Sequence, residues 1–323
     1  MKILRCAVQF LSVVSLLFAT QVSAENWPQK PINFINAFPA GGSSDVLGRT
    51  VSEKLSSVLG QPVVVQNRPG ANGQIAGSYV VQAAPDGYTI LQPSMGMLAI
   101  SPTLYSDLPY DVEKDLAPVI QLASLYNLLV VHPDLPVRTV QDLIDLAKKE
   151  PGKLSFASAG IGSSQHIAGE LFNVMADVKM MHVPYKGGTP ALVDMVAGRV
   201  PIMFGNLPEL LPHVKEGRLR AIAFGSAKSS PLLPDVPTIS ATIPDFAIPN
   251  WYGVSAPAGT PKPIIDKLKK AFQEALDDKA VQDRLVSLGF EVQGGTPEDF
   301  AKVIKQDIQR WKPLVEKSKA DTK

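Results

Sequence analysis

The sequence predicts an α/β protein of two domains, with mostly parallel sheets flanked by helices. Three observations carry that expectation. Strand-like and helix-like segments alternate almost throughout, the pattern that builds strand–helix–strand units. The chain has 323 residues, and the roughly 299 that would follow an N-terminal leader are enough for two hydrophobic cores. A Gly-Ser loop at a strand-to-helix junction occurs twice, about 120 positions apart, as though once per domain.

The elements follow in order. Lys2 and Arg5 precede an apolar stretch from Ala7 to Phe18, and Val22-Ser23-Ala24 fits a small-x-small cleavage site. That reads as a secretory signal over residues 1–24, too short and wrongly flanked to span a bilayer. Strands are expected at Ile32–Ala37, Pro62–Gln66, Tyr88–Gln92 and Ala117–Leu122, with helices at Val46–Leu59 and about Gln74–Ala84. Leu128–His132 is a strand, and Val140–Lys149 a helix with its apolar residues on one face. The alternation continues through strands at Leu154–Ala157, Met180–Val183, Val200–Phe204 and Leu219–Phe224. Helices at Ser163–Ala176, Pro190–Ala197 and Pro208–Glu216 separate them. Trp251–Ala256 is a last strand, and amphipathic helices follow at Pro263–Leu276, Ala280–Leu288 and Pro297–Val315. Prolines mark the joints, as in "APDG", "HPDLP" and "APAGTP".

The repeated loop carries the chemistry. Ala40-Gly41-Gly42-Ser43-Ser44-Asp45 and Ala159-Gly160-Ile161-Gly162-Ser163-Ser164-Gln165 each follow a strand, turn on glycines, offer adjacent hydroxyls and open a helix. Glycine lets the backbone approach a ligand closely. The first turn of a helix exposes unpaired N–H groups, and its dipole favours negative charge. Each loop is therefore a candidate anion site, and the pair suggests two jaws across a cleft. Phosphate fits poorly: no G-x-x-x-x-G-K-[ST] occurs, the first loop has no Lys, and Asp45 would repel a dianion. A carboxylate needs fewer donors.

Composition excludes other classes. With 31 Lys and Arg against 30 Asp and Glu there is no basic field for nucleic acid. The single cysteine, Cys6, lies in the leader, so the mature chain has no thiol for a disulfide, a metal or nucleophilic catalysis. The four histidines, His132, His166, His182 and His213, form no H-E-x-x-H pair, and no G-x-S-x-G elbow is present. His166, just inside the second helix, is the best candidate for a general base but lacks partners in sequence. No metal or cofactor is expected.

Several motifs in order resemble one family: "FPAGGSSDVLGR", "VVVQNRPGANGQIAG", "PDGYTIL", "LPYDVEKDLAPV", "HVPYKGGTPALVDMVAGRVPIMF" and "WYGVSAPAGTP". Together they resemble the Bug-type extracytoplasmic solute receptors, the binding proteins of tripartite tricarboxylate transporters. The resemblance implies a periplasmic, type II-like Venus-flytrap fold with crossover strands, and a small carboxylate held between the loops Phe38–Asp45 and Ser158–His166. It implies delivery to membrane permease subunits and no enzymatic activity. Residue by residue it implies backbone donors at Ala40, Gly41 and Gly42 beside Phe38 and Ser43, and Ser158, Ser163, Ser164 and Gln165 on the ligand from the other side. Ser94, Tyr185 and Asn206 would line the same mouth. Asp45 would orient water or a cationic group, or else serve as a helix cap. Lys186 reads as a solvated lysine, and Thr189 as the cap of the next helix.

Crossings near Ser124–Leu128 and Ile248–Trp251 would make the first domain discontinuous, 25–125 with 250–323, around a second of 126–249. A monomer is expected. With no evident basic residue in either loop, a mono- or dicarboxylate, an aromatic acid or an acidic amino acid is favoured over a tricarboxylate. A sensor subunit that presents the ligand to a membrane signalling protein would need the same cleft, so that reading stays open, as does the weaker one of a small-acid enzyme.

Overall fold

The structure, a computed structural model, describes residues 26–321, with side chains described through residue 317. The expected signal at 1–24 lies outside the described residues. Two sheets form. The first has six strands in the order β11 (Phe290–Gly294), β4 (Leu116–Leu125), β10 (Trp251–Pro257), β3 (Thr89–Gln92), β1 (Ile32–Asn36) and β2 (Val63–Asn67), and the second five in the order β7 (Met181–Pro184), β6 (Ser155–Ser158), β8 (Ile202–Asn206), β5 (Asn127–Val131) and β9 (Arg220–Phe224).

The first sheet is built on β1 (Ile32–Asn36), β2 (Val63–Asn67) and β3 (Thr89–Gln92), with β4 (Leu116–Leu125). Helix α1 (Ser43–Leu59) covers one face. Its Leu47, Val51 and Leu55 recur every four residues, so they form one stripe, and all three are fully buried. They pack with Phe34 of β1 and Ile90 of β3 in one cluster. Gly60 ends the helix in the left-handed conformation, φ 66°. Helix α2 (Gln74–Val81) leads to β3, and a π turn at Gly96–Ile100 runs into the short α3 (Ser101–Leu104). That apolar "GMLAI" segment carries too short a pattern to be read as helix from sequence.

The chain leaves the first sheet at Leu125 and enters the second at Asn127, where β5 (Asn127–Val131) lies between β8 and β9. Every residue of β5 is buried. Around it are α4 (Val140–Lys149), β6 (Ser155–Ser158), α5 (Ser164–Ala176), β7 (Met181–Pro184), α6 (Gly188–Val196), β8 (Ile202–Asn206), α7 (Leu207–Lys215) and β9 (Arg220–Phe224). After β9 the chain returns to the first sheet at β10 (Trp251–Pro257). It ends through α8 (Lys262–Asp277), α9 (Lys279–Ser287), β11 (Phe290–Gly294) and α10 (Pro297–Asp321).

The α/β two-domain class holds, but strand direction departs from the expectation. Only the β1–β2, β1–β3, β6–β7 and β6–β8 pairs are parallel, and the pairs made by β4, β5 and β10 are antiparallel, so both sheets are mixed. The reason is the crossover: a strand that carries the chain from one sheet into the other enters against the strands built by strand–helix–strand units. β11 is absent from the sequence-based expectation. "FEVQG" is short and alternates weakly, and it is defined by its pairing with β4 at the sheet edge.

Candidate functional site

Both Gly-Ser loops leave the carboxyl ends of their strands and meet between the sheets. Phe38, Gly42, Ser43, Ser94, Ser163, Ser164, Gln165 and Asn206, all among the expected site residues, line one inner cavity. The cavity has only about 20 Å³ of solvent-sized space, enough for roughly one water molecule. It adjoins an outer pocket of about 260 Å³ that includes Phe38, Tyr105, Tyr185 and Lys186.

In the first loop, Gly41 takes φ +79° and Gly42 is the extended N-cap of α1. Ser44 is used structurally: its hydroxyl donates to Asn36 Oδ1 at 2.5 Å, and Gln92 Nε2 donates to its carbonyl at 2.7 Å. Ser43 points into the cavity. Its N–H donates to Glu209 Oε1 at 2.9 Å and its hydroxyl to the same oxygen at 2.8 Å. Asn206 Nδ2 donates to the Ser43 hydroxyl at 3.0 Å, and Asn250 Nδ2 donates to Asn206 Oδ1 at 2.8 Å. Tyr252 OH lies 3.0 Å from the same serine hydroxyl. A carboxylate from α7 therefore already occupies the helix N-terminus that the sequence marks as an anion site.

The second loop is braced from within. Ser163 caps α5 by accepting from the His166 N–H. Gln165 Oε1 accepts from the Ala159 N–H at 2.8 Å, and His166 Nδ1 from the Gly162 N–H at 3.2 Å. His166 and His182 pack at a tilt, with ring centroids 4.1 Å apart and planes 34° from parallel. Burial lowers the His166 pKa to about 4. Burial, with the neighbouring His166, lowers that of His182 to about 3. Both rings are neutral at neutral pH. His166 thus supports the loop from behind and does not line the inner cavity.

Five of the expected site residues are placed otherwise. Ala40 and Gly41 lie exposed on the outside of the turn, and the Gly41 N–H is spent on Asp45 Oδ2 at 3.0 Å. Asp45 also accepts from Arg49 Nε at 3.0 Å and Asn67 Nδ2 at 2.8 Å. Burial raises its pKa, but the bonds from Arg49, Gly41 and Asn67 outweigh that and hold the carboxyl below the usual range. Between ligand reader and cap, Asp45 is neither: it is a loop brace, since its oxygens are taken and it does not line the inner cavity. Ser158 turns its hydroxyl to His182 Nε2 at 2.6 Å and to the Gly160 N–H. Tyr185 reaches the outer pocket only and donates to Asp194 Oδ2 at 2.8 Å. Thr189 is not a cap either: α6 begins one residue before it, after Gly187, and the Thr189 hydroxyl is buried without a partner.

Sequence reasoning missed Glu209, Thr189 as a cavity residue, Asn72, Asn250 and Tyr252. A glutamate in the first turn of a helix is an ordinary response to the dipole, so "NLPE" gives no signal of its own.

Comparison with known proteins decides the family. The profile of the tripartite tricarboxylate transporter family receptors matches residues 47–319. The chain belongs to that receptor family. The receptor is 38% identical to protein BugT of Bordetella pertussis over 322 residues, 98% of this chain and 99% of BugT. It superposes on the structure described as R. palustris Rpa4515 with adipate at a TM-score of 0.88 and 36% identity, over 90% of this chain and 98% of that one. MatC from Rhodopseudomonas palustris with bound malate gives 0.85 and 32%, over 90% and 100%. The receptor is thus a Bug-type solute-binding protein and not an enzyme.

Proposed function

We propose that this receptor captures a small carboxylate between its two Gly-Ser loops in the periplasm and delivers it, as a monomer, to the membrane permease of a tripartite transporter. One observation carries the reading: the N-termini of α1 and α5, from different sheets, open on one cavity. The α5 terminus offers unpaired first-turn N–H groups and a positive dipole end, and the α1 terminus faces it with Glu209 already on the Ser43 N–H. The relatives solved with adipate and with malate support the ligand class. Ligand contacts are assigned to Phe38, Gly42, Ser43, Ser94, Ser163, Ser164, Gln165 and Asn206. The domain boundaries are assigned as 25–125 with 250–323, and 126–249, on the sheet to which each strand belongs. The space of one water cannot admit an organic acid, so capture requires the two halves to part and reclose.

The test is calorimetry with the acid found by mass spectrometry in the purified protein. Ser164→Ala, which removes one cavity hydroxyl, should weaken binding about threefold to tenfold, the worth of roughly one hydrogen bond. Copurification of a sugar or nucleotide, with no response to any acid, would remove the proposal.

A further inference from the structure

We propose that the ligand carries a cationic nitrogen as well as a carboxylate, and that Glu209 is the specificity-determining residue that holds the nitrogen. The inference rests on the carboxylate-capture reading above and narrows its substrate class to zwitterionic acids.

Glu209 Oε1 accepts both the N–H and the hydroxyl of Ser43, the donors an incoming anion would use at α1. Its other oxygen, Oε2, is sealed from water and accepts no hydrogen bond of good geometry, although the Asn206 and Gln165 side chains stand near enough to favour the ionised carboxyl. The Thr189 hydroxyl is sealed and unpartnered too. Both side chains converge beside Gly42, where an added Cβ would stand 3.4 Å from Glu209 Oε1 and 3.4 Å from Thr189 Oγ1. Gly188 leaves the carboxylate its room, since a Cβ there would run into Oε2.

The Thr189 hydroxyl can donate one hydrogen and still accept another, whereas an ionised Glu209 Oε2 can only accept, so the pair is completed by a group that brings protons. An ammonium brings three, and a carboxylate brings none. Among the described residues lining the inner cavity none is basic, so an ionised Glu209 finds no countercharge there and a cationic group on the ligand would supply one. Burial pushes the Glu209 carboxyl up, against the opposing pull of Ser43, Asn206 and Gln165, and a bound ammonium would hold it ionised.

The carboxylate end then belongs to α5. There the first-turn N–H groups of Ser164 and Gln165 have no carbonyl within the helix to bond. Ser164 lines the cavity beside them. The ligand would lie with its nitrogen toward Glu209 and its acid toward Ser164. This sets the receptor apart from the relatives solved with the dicarboxylates adipate and malate.

The experiment is a thermal-shift and calorimetric panel on the mature protein: n-alkanoates, α,ω-dicarboxylates, and α- and ω-amino acids, each of about three to six carbons. The expected result is an amino acid that binds at least tenfold tighter than the alkanoate and the dicarboxylate of the same length. Glu209→Gln keeps an acceptor for Ser43 but removes the charge. It should lose that preference tenfold or more and take the plain acids as well as the native protein does, or better. Gly188→Ala, which pushes the carboxylate aside without neutralising it, should weaken the amino acid in the same direction. A native preference for dicarboxylates or alkanoates, or an amino-acid preference that survives in Glu209→Gln, would overturn the proposal and leave carboxylate capture standing. No response to any acid, with or without nitrogen, from a cooperatively melting protein would remove both.

Discussion

Asp45 illustrates how a residue's role turns on its partners. In sequence it is an acid in the first turn of a helix, equally suited to reading a ligand or neutralising a dipole. In the fold, its side chain is 5% exposed and it gathers Gly41, Arg49 and Asn67 on its two oxygens. Asp45→Ala would leave the Asn67 amide with only its bond to the Phe38 carbonyl and release the Gly41 turn, at a cost of about 1–3 kcal/mol. The expected reading is a lower urea midpoint with an unchanged slope. An unchanged midpoint together with a large loss of ligand affinity would return Asp45 to the ligand. Because its folded pKa is lowered, its contribution is present above the ordinary carboxylate pKa and fades as the pH falls through the folded value. Its partner Arg49 carries a single signal in sequence, the i,i+4 spacing that brings two side chains together on a helix.

Among the elements, β7 and α5 are joined through titratable side chains. His182 on β7 packs against His166 of α5 and bonds Ser158 at the end of β6, so three elements hold the second loop. Glu170 lies 3.9 Å from His166 Nε2 and faces the pair from the same helix. The two histidines have folded pKa values of about 4 and about 3, below the ordinary 6.5. The stability they allow is therefore complete above pH 6.5 and is lost as the unfolded chain takes up protons below it. A tenfold difference in proton affinity between the folded and unfolded chain corresponds to about 1.4 kcal/mol, so several kcal/mol are at stake between about pH 6.5 and 4. Urea unfolding at about pH 7, 5.5 and 4.5 should show that decline. His182→Gln keeps a hydrogen bond for Ser158 and cannot titrate, so its decline should be shallower. An equal decline would show that the pair does not control acid stability. Close element packing also explains Gly169 on α5: a Cβ there would meet the Phe156 ring of β6. The helix pattern of Ser163–Ala176 reveals the apolar face but not that one of its positions must be empty.

Across the whole molecule, the end of the chain completes a core begun near its start. Phe300, Ile304, Trp311 and Val315 of α10 belong to one apolar cluster with Ile35, Met97, Leu129 and Phe156. Trp251 stands edge-on to Phe300 at 5.2 Å and donates to Asp307 Oδ2 at 2.7 Å. Burying four such side chains contributes about 6–12 kcal/mol, as much as the whole stability of a typical domain. A chain cut after residue 296 is therefore expected not to fold, read as loss of a cooperative urea transition. A cooperative transition at an unchanged midpoint would overturn that view of the core.

Local features were legible in the chain alone: the alternation of elements, the apolar faces of α1 and α8, and the two loops. Periodicity and turn chemistry are written in neighbouring residues, and they survive any arrangement of the pieces. Three other features came only with the assembled fold: which strands run antiparallel, that β11 exists, and which loop donors remain free. The same assembly placed Glu209 against Ser43, a hydrogen bond spanning 166 positions of chain. That contact has no local signature, because it depends on how two separately folded sheets meet. It is also the contact on which the proposed charge preference of the site rests.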